Sequence, residues 1–301
     1  MSRLLGVDVG GTQTKLLLAD VAGERHDDVR HAVVPTPVGG VAMLGDAVAE
    51  FLGDDRVDGV GVSVPGILGA DGTVLVSTNV PWLDGTRPAA ALADRLGAPG
   101  VVVQDGTAAA RAEALLGAGR GRDDIFVVAL GTGIAGAHVV DGIVQSGAHR
   151  AAGELGHMAS GTGRVCSCGQ RGCLETEIGG RMIAARWDEI RGATGATARD
   201  LVAAADAGDE RAIALIDEAT SALAQTLLAM IALLDPGTIV IGGGLANARE
   251  RILEPAIRKT RERATFHQVP PILAARLGLW GGAWGGVLAA EELATTDAPL
   301  G

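Results

Sequence analysis

All three cysteines of the chain lie within eight positions, and one histidine stands shortly before them. The stretch ELGHMASGTGRVCSCGQRGCLE, residues 154–175, contains His157, Cys166, Cys168 and Cys173. Three thiolates and one imidazole are a complete tetrahedral ligand set for Zn²⁺. Four protein ligands leave no position for an activated water, so the pattern predicts a structural zinc site and not a catalytic one. Free thiols or a redox pair are the alternative.

Two glutamates flank this cluster. Glu154 lies three residues before His157, and Glu175 lies two after Cys173. A metal that fixes the ligands would also fix these carboxylates, which suit the hydroxyl donors of a sugar. A ligating histidine normally uses its second ring nitrogen on an outer-shell partner, and here a sugar hydroxyl is a candidate. Plain surface charge is the alternative for either glutamate alone.

Two aspartates follow predicted strands. Asp105 comes after VVVQ, a short strand expected to be buried, and precedes an alanine-rich helix. Ligands bind at the carboxyl ends of strands in α/β sheets, and a carboxylate there can accept a proton from a substrate hydroxyl. Helix N-capping is the alternative. Asp8 ends the first strand beside a glycine turn, where an acid suits Mg²⁺ in phosphoryl transfer; otherwise it is a buried acid that needs a partner.

Two matched glycine turns predict phosphate contacts. Each lies between two short apolar runs, and their residues are Gly10, Gly11, Thr12 and Gly131, Thr132, Gly133. Free backbone N–H groups at such tips can surround phosphate oxygens, although an ordinary tight turn is the alternative. The second turn spells G-x-G-x-x-G with Gly136, but a strand and not a helix is predicted to follow. The dinucleotide fingerprint therefore fails, and with it the case for an NAD-dependent oxidoreductase.

A third glycine cluster ends a later predicted strand. It consists of Gly242, Gly243 and Gly244. We expect it to open a helix and to let an adenine or ribose lie against the backbone. A close helix–strand crossing is the alternative.

Strands and helices alternate along both halves of the chain. Predicted strands cover residues 4–9, 15–19, 57–64, 101–103, 125–130, 135–140, 238–241 and 272–274. Predicted helices cover residues 41–52, 86–96, 107–116, 181–191, 198–207, 210–234, 246–263 and 282–293, with a loose tail over 295–301. This alternation predicts an α/β architecture with parallel pairing. Duplicated strand–turn–strand units predict two lobes with a cleft between them.

Length, composition and net charge limit which classes of protein are possible. The chain has 301 residues, 48% hydrophobic side chains and a net charge of −11. The length allows one large or two smaller α/β domains with a substantial core. The charge argues against nucleic-acid and membrane partners, since each favours a basic surface. No export signal or long uncharged apolar run is recognised, so we expect a soluble cytoplasmic enzyme.

The motifs, taken in order, resemble those of the ROK family of sugar kinases and repressors. They are DVGGTQTK, GVSVPG, NVPW, QDGTAAARAE, LGTGIAG, GELGHM, CSCGQRGCLE and LDPGTIVIGGG, spread over residues 4–286. The resemblance implies the two-lobed, actin-like fold of hexokinase and Hsp70, with ATP-dependent phosphorylation of a hexose 6-hydroxyl. It implies an N-terminal lobe, 1–107, completed by the C-terminal helix 282–301, and a C-terminal lobe, 108–281. Family habit implies a homo-oligomer, either a dimer or a tetramer.

The resemblance also implies residue roles, with ATP, Mg²⁺ and Zn²⁺ as cofactors. Asp105 would be the general base. The sugar contacts would be Gly66, Asn79, Gln104, Asp105, Glu154, His157 and Glu175. The nucleotide and Mg²⁺ positions would be Asp8, Gly10, Gly11, Thr12, Lys15, Gly131, Thr132, Gly133, Gly242, Gly243 and Gly244. The zinc ligands would be His157, Cys166, Cys168 and Cys173.

Two departures from the family pattern lie on the substrate side. Gln104 stands where Asn is usual, and His149-Arg150 stands where a small residue is frequent. We expect retained chemistry with altered sugar choice. Kanosamine or an N-acetylmannosamine-type sugar is a candidate, and glucose is the default.

The second hypothesis is a non-catalytic sugar sensor of the same fold. Repressors of the family carry a helix-turn-helix domain before this fold, whereas the first phosphate turn here begins at Gly10. DNA binding is therefore not expected.

Overall fold

The chain folds into two compact units in the computed structural model, which describes residues 1–77, 79–149, 151–160 and 162–295. One unit comprises Met1–Ala112 with Leu279–Gly301, and the other comprises Glu113–Gly278. The sequence places the lobe boundaries after residues 107 and 281, and those positions stay a prediction.

Strands and helices alternate along the chain. The strands are β1 (Ser2–Val9), β2 (Gln13–Ala22), β3 (Arg25–Pro35), β4 (Gly59–Val64), β5 (Ile67–Leu68), β6 (Val74–Val76), β7 (Gly100–Gln104), β8 (Asp124–Leu130), β9 (Ile134–Val140), β10 (Ile143–Val144), β11 (Thr238–Gly242) and β12 (Ile272–Ala274). The helices are α1 (Val41–Leu52), α2 (Pro88–Leu96), α3 (Asp105–Leu115), α4 (Leu174–Ile178), α5 (Gly180–Arg191), α6 (Ala198–Asp206), α7 (Glu210–Leu234), α8 (Glu254–Arg263) and α9 (Gly281–Thr295).

The two units contain sheets of the same topology. The first sheet has the order β3-β2-β1-β4-β7, and the second has the order β10-β9-β8-β11-β12. In each, the first three strands pair antiparallel and the last two pairings are parallel. The central strands β1, β4 and β11 are apolar and buried because helices cover parallel strands on both faces. The predicted α/β architecture with a duplicated unit is confirmed.

Helix α7 is a core helix of the second unit. By length and composition it could cross a membrane, with a hydropathy of 1.2 over an 18-residue window. However, Leu215, Leu223 and Leu227 on this helix are at most 2% exposed and belong to the apolar core of the unit. Its neighbours are α4, α6 and α8. Packing inside the protein therefore accounts for its hydrophobicity.

Two sequence expectations differ from the structure. Strand β7 was expected to be buried, but it is half-buried because it is an edge strand of its sheet. The helix predicted over 246–263 begins as α8 at Glu254, after a π-helical turn at Arg249–Leu253. Pro255 explains this, because proline lacks an N–H and is tolerated only in the first turn of a helix. The cluster Gly242 to Gly244 therefore opens a turn and not a helix.

The C-terminal predictions are met only in part. Helix α9 ends at Thr295, and the remainder of the expected helix and tail, 296–301, lies outside the described residues.

Glycines let helix α9 approach the first sheet closely. A Cβ on Gly61 of β4 would lie 1.9 Å from the carbonyl oxygen of Gly286. A Cβ on Gly6 of β1 would lie 2.0 Å from the carbonyl oxygen of Ala283. Because these contacts are to backbone atoms, no side-chain movement can relieve them. The glycines therefore set how close α9 lies to β1 and β4.

We expect Gly61→Ala to destabilise the protein by about 1–3 kcal/mol, because the added methyl must push α9 off the sheet. Chemical denaturation monitored by circular dichroism measures the loss. Ala22→Val is the control, since it adds two methyl groups at an exposed strand position. Equal stabilities for wild type and Gly61→Ala would show that α9 can move away at no cost.

Candidate active site and metal cluster

Asp8 is the centre of a polar cluster built by strand register. Lys15 is its antiparallel neighbour on β2, and Ser63 is its parallel neighbour on β4. Lys15 Nζ lies 3.0 Å from Asp8 Oδ2, and Ser63 Oγ donates to Asp8 Oδ1 at 3.1 Å. A Cβ on Gly282 would lie 2.5 Å from this carboxylate, so the first turn of α9 also packs against it. Asp8 is thus a buried acid with partners, as its burial requires.

Asp105 lies at the carboxyl end of β7 and is the first residue of α3. Burial raises its pKa to about 6. The Gly106 amide, which donates to Oδ1 at 2.7 Å, opposes this rise in pKa. The negative charge of Asp8 adds to it, and the positive charge of Lys15 opposes it. A carboxyl group with this pKa is ionised at neutral pH and close enough in basicity to take a proton from a hydroxyl.

Gln104 turns its amide toward the chain itself. Its Nε2 donates to Asp105 Oδ1 at 2.7 Å, and its Oε1 accepts from the Thr107 backbone N–H at 2.8 Å. The family resemblance implied that this amide contacts the sugar. In the structure it caps α3 and contacts the carboxylate of Asp105.

The first glycine turn is held by a threonine that the sequence did not single out. Gly10 N–H donates to the Gln13 carbonyl at 3.0 Å, which closes the turn. Thr36 donates its hydroxyl to the Gly10 carbonyl at 2.6 Å and its N–H to the Thr12 carbonyl at 2.9 Å. The carbonyls are therefore occupied, while Gly11 and Thr12 remain exposed at the tip.

A cavity of about 930 Å³ in the second unit joins two predicted nucleotide elements. Gly131 and Thr132 of the second turn line it together with Gly244. Helix α5 reaches this turn directly, since Gly180 and Arg181 donate their N–H groups to the carbonyls of Gly131 and Thr132. Further lining residues that the sequence did not reveal include Arg181, Asp188, Thr197, Arg199, Asp206 and Asn247.

Among the predicted nucleotide glycines of the second unit, Gly131 and Gly244 line this cavity, whereas Gly133, Gly242 and Gly243 do not. Gly243 has φ +93, and a Cβ there would lie 2.3 Å from the Leu130 carbonyl oxygen. At this position a close approach of the backbone to β8 requires glycine.

The predicted metal ligands come together in the structure. One donor atom from each of His157, Cys166, Cys168 and Cys173 lies within 4.8 Å of all the others. Cys166 Sγ is 3.7 Å from His157 Nδ1, and Cys168 Sγ is 3.7 Å from Cys173 Sγ. A tetrahedral Zn²⁺ with bonds of about 2.3 Å separates its ligand atoms by roughly 3.7 Å. The donor set and its spacing therefore fit zinc, and the sulfur atoms are too far apart for a disulfide.

His157 and the flanking glutamates occupy different surroundings. With Nδ1 directed at Cys166, Nε2 of His157 faces Glu154, whose Oε2 is 3.9 Å away. The Glu154 side chain is largely exposed, whereas that of His157 is partly exposed. Glu175 lies under the second glycine turn instead, where its Oε2 accepts from the Ile134 N–H at 2.9 Å. A Cβ on Gly133 would lie 2.4 Å from that oxygen.

A buried ion pair supports the segment that carries the metal ligands. Arg186 of α5 lies 2.8 Å from Glu177 of α4, and neither side chain is more than 6% exposed. The other carboxylate oxygen of Glu177 accepts from the N–H of Thr162 at 3.1 Å and from its hydroxyl at 3.0 Å. Helix α5 also lines the nucleotide-sized cavity, so this pair joins cavity wall and metal loop within one unit.

The remaining predicted sugar contacts differ in exposure and in backbone conformation. Asn79 is exposed, and its carbonyl oxygen would lie 3.3 Å from a Cβ on Gly11, which places it beside the first turn. Gly66 has φ +123, and a Cβ there would lie 2.1 Å from the Val76 carbonyl oxygen. Its backbone conformation therefore requires glycine. Of the pair 149–150, His149 is exposed and Arg150 lies outside the described residues.

Comparisons with known proteins show which family the chain resembles. Residues 4–292 match the family model described as ROK family. The N-acetylgalactosamine kinase AgaK of Shewanella sp. (strain ANA-3) is 34% identical over 259 residues, which are 81% of this chain and 82% of that protein.

Two solved structures resemble the chain along nearly its whole length. A ROK hexokinase from Thermus thermophilus has a TM-score of 0.85 and 30% identity, covering 97% of this chain and 99% of that one. A ROK family glucokinase from Streptomyces griseus, in complex with glucose and AMPPNP, has a TM-score of 0.78 and 27% identity, covering 96% and 99%. The predicted fold class, the two-lobed actin-like α/β fold, is confirmed, and this chain belongs to the ROK family.

Proposed function

We propose that this protein is an ATP-dependent hexose kinase that transfers the γ-phosphoryl group of ATP to the 6-hydroxyl of a hexose or amino sugar. The proposal rests mainly on Asp105, a half-buried carboxylate at a strand end whose pKa is raised to about 6. The class of enzyme is that of its relatives, which include an N-acetylgalactosamine kinase and a glucokinase crystallised with an ATP analogue.

In the proposed reaction the 6-hydroxyl oxygen attacks the γ-phosphorus while Asp105 accepts the hydroxyl proton. A new P–O bond forms, the bond to the bridging β–γ oxygen breaks, and ADP leaves with that electron pair. Asp105 must be ionised before the attack, which its pKa allows at neutral pH. Sugar 6-phosphate, ADP and one proton are the products.

We assign the nucleotide to the glycine turns and the cavity. The N–H groups around Gly10 to Thr12 and Gly131 to Gly133 are donors for phosphate oxygens. The cavity beside Gly244 has the volume for a nucleoside, and alanines of α5 and α6 supply apolar wall. Asp8 is the residue that would hold Mg²⁺, which neutralises charge on the phosphates when bound, and Lys15 adds a positive charge beside it.

We assign zinc a positioning role. His157 Nδ1 and the three sulfur atoms would hold the ion as four ligands and leave no coordination position for water, so a bound zinc would orient these residues and not activate water. Glu154 and His157 Nε2 are then held side by side as partners for sugar hydroxyls. Glu175, Asn79 and Gly66 are further proposed sugar contacts, of which Glu175 also fixes the second glycine turn.

The identity of the sugar is open between neutral and amino hexoses. Glucose and N-acetylgalactosamine are supported by the named relatives. Kanosamine and N-acetylmannosamine follow from the substrate-side departures in the sequence. Cytoplasmic location, a homo-oligomeric state and the lack of nucleic-acid or membrane partners belong to the same proposal. The rival is a sugar sensor without turnover.

We expect wild-type protein to release ADP with at least one sugar of a panel, and Asp105→Asn to lower kcat roughly a hundredfold or more. The panel comprises glucose, mannose, fructose, glucosamine, kanosamine, N-acetylmannosamine and N-acetylgalactosamine. Calorimetry should show sugar affinity of Asp105→Asn within about threefold of wild type, because the two side chains have the same shape. Asp94→Asn on the exposed face of α2 is the matched control. Sugar binding by the wild type without any ADP release would favour the sensor.

The pH profile should show the ionisation of Asp105. Because the protonated carboxyl cannot accept a proton, we expect kcat/KM for the sugar to fall about tenfold per pH unit below an apparent pKa near 6. Initial rates between pH 4.5 and 8, in buffers of constant ionic strength, measure this limb. A profile that stays flat through this range would remove Asp105 from the proton transfer.

Loss of one zinc ligand should loosen the sugar site. We expect Cys168→Ser to lower the zinc content per chain, measured by elemental analysis, and to raise the sugar KM roughly tenfold. Cys168 is exposed, so the substitution removes a ligand with little effect on the core. Ser167→Ala, its exposed neighbour, is the control. Zinc loss with unchanged sugar affinity would contradict the positioning role.

A further inference from the structure

We propose that Gln104 is a positioning residue that holds one oxygen of the Asp105 carboxylate and thereby presents the other to the sugar hydroxyl. This inference rests on the proposed function, in which Asp105 accepts the proton. It replaces the interpretation that Gln104 selects the sugar by direct contact.

The orientation of the Gln104 amide follows from its hydrogen bonds. The Thr107 N–H is a donor, so the atom 2.8 Å from it must be the carbonyl oxygen Oε1. The other end of the amide is then the NH₂ group, which lies 2.7 Å from Asp105 Oδ1. A single side chain therefore caps α3 and donates to the carboxylate.

The two carboxylate oxygens of Asp105 differ in the hydrogen bonds they accept. Oδ1 accepts from Gln104 Nε2 and from the Gly106 N–H, each at 2.7 Å. No described residue donates a hydrogen bond to Oδ2, so its lone pairs are available for a substrate hydroxyl. Two donors on Oδ1 also fix the rotation of the carboxylate, and a fixed orientation of the acceptor is what general-base catalysis needs.

The length of the side chain is what makes this double role possible. Asparagine at the same helix N-cap position accepts well from the N–H two or three residues into the helix. Its amide nitrogen is one methylene closer to the backbone, so it cannot reach the Asp105 carboxylate in the same pose. The glutamine found here reaches both the Thr107 N–H and Asp105 Oδ1, so its amide is already hydrogen-bonded in the absence of sugar.

The charges that face Asp105 come from other elements of the same unit. Asp8 on β1 raises the pKa of Asp105, and Lys15 on β2 lowers it. Gln104 is neutral, so it restrains Asp105 without changing this balance of charge. Gln104→Glu would place a second carboxylate against Oδ1, and two carboxylates in contact share a proton at elevated pH.

The test compares Gln104→Asn and Gln104→Glu with wild type, using the panel sugar that gives the most ADP. We expect Gln104→Asn to keep its melting temperature and to lower kcat roughly tenfold, with the sugar KM within about twofold. We expect Gln104→Glu to move the acid limb of kcat/KM upward by about one pH unit or more. Gln225→Glu adds the same charge at an exposed position of α7 and is the control.

Two results would overturn the proposal. One is an unchanged kcat in Gln104→Asn together with altered kcat/KM ratios among sugars that differ at the 3- or 4-position, because the amide would then contact the sugar. The other is an unshifted titration of the Asp105 carboxyl in Gln104→Glu, followed by ¹³C NMR. This titration needs no turnover. A shifted titration in a protein that releases no ADP would therefore support the Gln104–Asp105 contact and overturn the proposed function alone.

Discussion

The contact of helix α9 with the first sheet is the constraint on which the acidic site depends. Gly61 and Gly6 have no room for a Cβ against the carbonyls of Gly286 and Ala283, so helix and sheet meet backbone to backbone. The same approach brings Gly282 against the carboxylate of Asp8. Asp8 in turn adds to the raised pKa of Asp105. The packing of α9 thus helps to place Asp8, whose negative charge adds to the larger effect of burial on the pKa of Asp105.

In the second unit a cluster of four metal ligands and a buried ion pair position the segment that carries the proposed sugar contacts. Loops rich in glycine lose much conformational entropy on ordering, and the segment between His157 and Cys173 has little apolar surface to offset that loss. Four converging ligands can order it when a metal is bound. The buried pair of Glu177 and Arg186 fixes the same segment through Thr162. Metal ligands, an ion pair and hydrogen bonds, more than hydrophobic burial, therefore hold the segment that carries the proposed sugar contacts.

The sequence predicted the residues of the site better than their contacts. Cys166, Cys168 and Cys173 with His157 could be identified from ligand type and spacing, because zinc accepts few donor sets. Asp105 could be identified from its place after a strand. Thr36, by contrast, has no local signature, since it meets the first turn only through the pairing of β2 with β3.

The differences between the sequence predictions and the structure have separate causes. Pro255 carries a readable signal against a continuous helix over 246–263. The half-burial of β7 depends on its place at the sheet edge, which no local pattern encodes. The orientation of Gln104 depends on its hydrogen bonds to Asp105 and Thr107, whereas the family resemblance implied a contact with the sugar.

The two units differ at the strand position two residues before each glycine turn. Asp8 lies two residues before its glycine turn and has Lys15 and Ser63 as strand neighbours. The residue two before the second turn is Ala129, whose strand neighbours are Ala135 and Gly242. The duplicated framework therefore holds an ion pair with a serine at one copy and three small residues at the other. The second unit has no charged side chain at this strand position, and the charged groups beside its glycine turn, Glu175 and Arg181, come from helices α4 and α5. In the first unit the groups proposed to hold a cation and to move a proton lie on strands and at a strand end.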